Sequence, residues 1–137
     1  KDNFENESNH KYNPDEYSAF VKHELSHSFF NILSNGNHKP IWLNEGVAIY
    51  TSGQNKFKRQ IARFEKFLEF YEKGGKEIYS EAGFAVELLI NKFGKEKILS
   101  LIKNLKYYPS KEVFEQVFEK EYGFPLNYNN FNSLLND

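Results

Sequence analysis

His23-Glu24-Leu25-Ser26-His27 is the stretch of this chain best equipped for chemistry. On a helix, residues four apart lie one turn above each other on the same face, so both imidazoles reach one point in space and Glu24 borders it. This HExxH spacing suits Zn2+, which takes imidazole nitrogens at about 2.0–2.1 Å and at a catalytic site keeps a fourth position for water beside three protein ligands. The third ligand must come from elsewhere, and Glu45 in Trp42-Leu43-Asn44-Glu45-Gly46 is the candidate. A carboxylate set among Ile41, Trp42, Leu43, Val47 and Ala48 needs a partner such as a cation, whereas a glutamate in an ordinary helix is solvated. Accident is the competing account of the histidine pair. The chain has only four histidines, and the pair sits in a largely apolar helix where unpaired polar groups are costly. Both facts weigh against accident. The chemistry then divides the roles: neutral imidazoles bind one zinc per chain, and Glu24 is placed to take a proton from water. His10 and His38, in a polar lead-in and a turn, read as exposed polar residues.

Composition narrows what else the chain can be. Its 137 residues make one domain on size, and the absence of cysteine excludes disulfides, thiolate metal sites and cysteine nucleophiles together. Any metal must be held by histidine and carboxylate. A net charge of −1, with acids and bases interleaved, gives no footprint for nucleic acid. No apolar run approaches a transmembrane span, so this segment is not expected to insert in a membrane. The sequence opens on lysine and contains no methionine, which reads as a processed protein or a piece of a longer one. Aromatic residues at 18%, mostly Phe and Tyr, let a small helical domain bury much area with few side chains.

The elements that position the histidines follow from helix signals. Residues 1–13 read as an irregular lead-in, polar and asparagine-rich. Asn13-Pro14-Asp15-Glu16 is a helix start, with Asn as N-cap, Pro at the first helical position and acids in the first turn. The helix should run from Pro14 to about Leu33, with Ala19, Phe20, Leu25, Phe29 and Ile32 as its apolar surface. Gly36 suits a left-handed ending, and Ile41 to about Thr51 forms a second helix. An antiparallel pair joined by a short loop would bring Glu45 back beside His27. Gln54 to Lys73 carries Phe57, Ile61, Phe64, Phe67, Leu68 and Tyr71 at helical spacing and predicts an amphipathic packing helix ended by Gly74-Gly75. Further helices are expected over Ile78 to Phe93, Lys95 to Leu105, Ser110 to Tyr122 and Leu126 to Leu135, with little strand signal anywhere.

HELSH, followed after the seventeen residues Ser28 to Asn44 by Glu45 within WLNEGVAIY, resembles the gluzincin zinc metallopeptidases, in particular their peptidase-MA-like and aminopeptidase-type catalytic domains. The resemblance extends through Ile78-Tyr79-Ser80-Glu81-Ala82-Gly83-Phe84 and a later KEKILSLI, covering about Asp15 to Tyr122. It implies a mainly α-helical zincin-like domain in which His23, His27 and Glu45 bind zinc and Glu24 is general base. It also implies that Tyr79 hydrogen-bonds the oxyanion of a tetrahedral intermediate. A phenol can stabilise developing negative charge without competing for the metal, but ordinary packing at a helix start accounts for Tyr79 equally well. Asn44 and Gly46 flank Glu45 and suit either shaping a turn or touching substrate.

Three departures from that pattern bear on the reading. Ile49 stands where the family often places a second carboxylate, so any acceptor for a ligand imidazole must be another group. The Gly-x-Met-Glu-Asn segment that holds a substrate's amino terminus is absent, and the upstream sheet is reduced or absent. The expectation is a single zinc-dependent peptidase domain over residues 1–137, acting on a peptide or protein substrate and, as related domains often are, secreted or attached to a bacterial cell surface. Its rival is a catalytically degenerate, zinc-stabilised protease-like domain that binds a protein or cell-wall partner, which Ile49, the missing sheet and the small size favour.

Overall fold

Asn13 starts the helix that carries both histidines, its side-chain oxygen accepting from the backbone N–H groups of Asp15 and Glu16 at 2.9 and 3.3 Å. A side-chain acceptor there satisfies donors that a helix N-terminus leaves free. The computed structural model describes residues 13–108 and 110–137, so the rest of the expected lead-in, with His10, lies outside them. Six helices are described: α1 (Pro14–Leu33), α2 (Ile41–Thr51), α3 (Ile78–Phe93), α4 (Lys95–Lys103), α5 (Lys111–Tyr122) and α6 (Tyr128–Asn136). Short 3-10 turns lie at Gln54–Phe57, Phe67–Glu69 and Leu105–Tyr107, and no strand occurs among the described residues. The fold is therefore mainly α, and none of these helices is long and apolar enough to cross a membrane.

α2 is the middle layer, with α1 on one side and α3 on the other. α1 ends where Asn35 and Gly36 both take positive φ and the Gly36 N–H reaches back to Asn31 O at 2.9 Å, so the left-handed turn begins one residue before the glycine. Pro40 provides no side-chain cap for α2; instead Ile41 and Trp42 N–H donate to Tyr71 O and Phe70 O at 3.0 and 2.9 Å. The α2–α3 contact is close because two glycines face it. A Cβ on Gly46 would lie 2.5 Å from Ala82 O, and one on Gly83 would run into Ile49 and Asn55. Gly46 is thus buried at a helix interface rather than exposed to substrate.

Gln54 to Lys73 is not a helix, which corrects the sequence expectation. From Phe64 to Leu68 the backbone donors are taken by distant side chains instead of by carbonyls four residues back. The buried Glu81 carboxylate on α3 accepts from Glu65, Lys66 and Phe67 N–H at 2.9, 2.8 and 2.8 Å. Asn132 on α6 accepts from Phe64 N–H and donates to Phe64 O, and the Tyr128 hydroxyl accepts from Leu68 N–H. The helical spacing of Phe64, Phe67 and Tyr71 serves the core all the same: Phe67 packs edge-to-face on Trp42 at 5.1 Å and on Phe131 at 5.1 Å, and Phe64 on Phe131 at 5.7 Å. The Lys95 helix stops at Lys103, and the last helix starts at Tyr128 under an Asn127 cap, each close to its expected bounds.

α1 differs from expectation in which face it buries. Ala19, His23 and Phe30 point inward, while Leu25, Phe29 and Ile32 are 55, 66 and 72% exposed. α1 packs on α2 through its histidine face, which turns the larger apolar residues outward. There Leu25 and Phe29 border an open apolar groove of about 360 Å³ shared with Val47 of α2 and Leu99 and Ile102 of α4.

Candidate metal centre

The α1–α2 pair places the two imidazoles against Glu45. His23 is buried, and His27 and Glu45 are half-buried. A hydrogen bond from the Thr51 hydroxyl to Ser26 Oγ at 3.0 Å ties the C-terminal end of α2 to α1 next to His27. His23 Nε2 and His27 Nε2 are 3.0 Å apart, and Glu45 Oε2 and Oε1 stand 3.3 and 3.5 Å from them respectively.

The other ring nitrogens fix what these atoms can do. His23 Nδ1 lies 2.6 Å from Gln54 Oε1 and His27 Nδ1 lies 2.9 Å from Asn44 Oδ1. Amide oxygens only accept, so each Nδ1 carries its ring's proton and each neutral Nε2 presents a lone pair. Two lone pairs and a carboxylate thus converge with no proton among them, and buried Glu45 Oε2 has no hydrogen-bond donor. Such a cluster is electrostatically unfavourable until a cation enters it. A proton is one: burial pulls the His23 pKa down, but the hydrogen bonds to Glu45 and Gln54 and the charges of Glu45 and Glu24 outweigh it and leave the group above its ordinary value.

A metal ion is the other. His23, His27 and Glu45 offer ligand atoms within 4.8 Å of one another and could hold one. Bonds of about 2.0–2.1 Å in a tetrahedron put neighbouring ligand atoms about 3.3 Å apart, and the separations here of 3.0, 3.3 and 3.5 Å bracket that value. Two imidazoles and a carboxylate, with no thiolate, are a donor set suited to zinc. The residues present fit the group.

Glu24 and Tyr79 are the more exposed residues near this cluster. Glu24 is exposed, and its charge reaches both His23 and Tyr79. Tyr79, in the first turn of α3, is 41% exposed with its ring centroid 6.4 Å from that of His23. Burial, then the charges of Glu45 and Glu24, hold its phenol above the ordinary pKa, so it remains an O–H donor through neutral pH. The structure brings His23, His27 and Glu45 together, with the Tyr79 ring beside His23 and the Glu24 charge within reach of both. Gln54 was not foreseen; it lies in a 3-10 turn inside a stretch whose sequence pattern spoke only of packing. Asn44 was visible beside Glu45, but its partner His27 is on another helix. His38 is exposed and apart.

Comparison of the chain with protein-family models, with curated proteins and with solved structures finds no match.

Proposed function

We propose that this chain is a zinc metallopeptidase domain of gluzincin type, hydrolysing peptide bonds in a peptide or protein substrate. The observation that carries the reading is the convergence of His23 Nε2, His27 Nε2 and the Glu45 carboxylate with both Nδ1 protons committed elsewhere. One zinc held by these three would supply Lewis acidity, polarising a carbonyl and acidifying water. Glu24, exposed and next to His23 in the chain, takes a proton from the attacking water and delivers it to the leaving amine. Tyr79 donates its phenolic hydrogen to the oxygen that becomes negative in the tetrahedral intermediate. Gln54 and Asn44 hold the imidazole tautomers, and these amides stand in for the carboxylate that Ile49 replaces. That departure therefore does not favour a binding module over an enzyme.

The test is elemental analysis of the purified chain together with hydrolysis of unstructured peptides with and without chelator. One zinc per chain and chelator-sensitive cleavage are expected. Glu24→Gln should keep the metal and the fold while losing cleavage, and full activity in that variant would refute its role. Metal uptake with no cleavage of any peptide by the intact chain would refute the peptidase reading in favour of a metal-stabilised binding domain.

A further inference from the structure

Lys58 stands at the edge of the same site with no counter-ion. It follows directly on the 3-10 turn Gln54–Phe57, whose first residue holds His23, so one turn of backbone carries both a metal-centre contact and this ammonium group. Lys58 Nζ lies 5.7 Å from the Tyr79 ring centroid, and that ring is 6.4 Å from His23. These separations place Nζ within roughly 12 Å of the His23 ring, about three to four residues of extended peptide at 3.3–3.6 Å each. Lys58 is half-buried and forms no ion pair among the described residues. Burial lowers its pKa, with no carboxylate close enough to offset the loss of water. The Tyr79 phenol, by contrast, feels the charges of both Glu45 and Glu24.

We propose that Lys58 is a substrate-recognition residue, receiving a carboxylate of the bound peptide no more than three or four residues from the bond acted on at the His23–His27–Glu45 group. The inference rests on the peptidase reading and gives it a substrate class: peptides carrying negative charge close to the scissile bond, from an acidic side chain or a free C-terminus. A partly desolvated ammonium gains a charge-assisted hydrogen bond from such a group that it does not make within the chain. Tyr79, beneath the ammonium, adds the ring face that holds the lysine in place.

The test uses the full 137-residue chain as the zinc-loaded Glu24→Gln variant, so that binding is read without turnover. The probes are fluorescein-labelled peptides in pairs that differ only by Glu for Gln at one position, each made with a free and with an amidated C-terminus. The charged member of a pair should bind roughly tenfold more tightly than the neutral one. That ratio should fall to about one when Lys58→Met is added, and return with Lys58→Arg. A preference that follows the Glu/Gln change assigns the carboxylate to a side chain; one that follows the free terminus assigns it to the chain end. Equal binding of charged and neutral peptides, a ratio unchanged by Lys58→Met, or no binding of any probe overturns the proposal. Cleavage by the unsubstituted chain is scored separately. Charge-selective binding without cleavage keeps Lys58 as a carboxylate-binding residue of this site and removes the peptidase reading, and cleavage without charge preference does the reverse.

Discussion

Replacing Gln54 with alanine removes the acceptor, 2.6 Å away, that keeps the His23 proton on Nδ1. The buried ring is then free to carry that proton on Nε2, where Glu45 Oε2 waits 3.3 Å away. That tautomer satisfies the carboxylate but withdraws the lone pair a cation needs. Loss of an outer hydrogen-bond partner of a metal-binding histidine weakens metal affinity about 10–100-fold, or about 1.4–2.7 kcal/mol at 1.4 kcal/mol per factor of ten. Two features locate Gln54→Ala within that range. His23 is only 6% exposed, so water replaces the amide poorly and the loss lies toward the upper end. His27 keeps its own acceptor in Asn44, so binding is weakened and not abolished. The metal-free fold should scarcely notice, because a neutral hydrogen bond contributes about 0.5–1.5 kcal/mol and the new Nε2–H to Glu45 contact offsets it. Zinc competition against a chromophoric chelator at neutral pH measures the first effect, and urea unfolding in EDTA the second. Equal zinc affinity in Gln54→Ala and the unsubstituted chain would refute the tautomer argument, as would a large loss of metal-free stability with affinity unchanged.

Tyr79→Phe should lower kcat about 100–1,000-fold, the usual loss for one oxyanion donor, with zinc content unchanged; a variant within threefold of the parent would return Tyr79 to simple packing. Gly46→Ala drives a methyl group against Ala82 O, so it should destabilise the chain by about 1–3 kcal/mol and weaken zinc binding with it, because Glu45 is the neighbouring residue; thermal unfolding and the chelator assay read the two effects. The pH dependence of metal-free and zinc-loaded protein should have opposite signs. The folded pKa of His23 is raised above its ordinary 6.5, so its contribution to metal-free stability is fully present below that pH and disappears as pH rises through the folded value. Zinc requires the unprotonated ring, so its apparent affinity should rise over the same interval. Urea midpoints with EDTA and chelator titrations across pH 6–8.5 check both, and parallel trends would refute the competition between proton and metal.

What could be read from the sequence was local. Asn13-Pro14-Asp15-Glu16 announces α1 through groups that act within one turn, and the observed cap is that one. His23 and His27 need only helical geometry to share a face, and the short loop after α1 returns Glu45 to them. The stretch from Gln54 to Lys73 failed because its outcome is decided at a distance. Glu81 lies fourteen to sixteen residues away in sequence from the donors it accepts from, and Asn132 lies sixty-eight from Phe64. Periodic aromatics reported correctly that the segment faces the core, but the same period is produced by a chain whose amide hydrogens are held by side chains from α3 and α6.

The same cause explains the outward face of α1 and the missed amides. A helix whose apolar residues are spread around it, as in α1, does not say which side will be covered. Here the polar stripe won, because only that side brings His23 and His27 against Asn44, Glu45 and Gln54, and Phe29 and Ile32 were turned out as a consequence. Burying two imidazoles and a carboxylate in place of those larger apolar residues works against stability in the metal-free chain. Occupation by a cation reverses that balance: a ligand present at a thousandfold its dissociation constant adds about 4 kcal/mol to the folded state. The choice of buried face is thus an argument for the proposed metal centre, since packing alone would have covered the larger apolar residues.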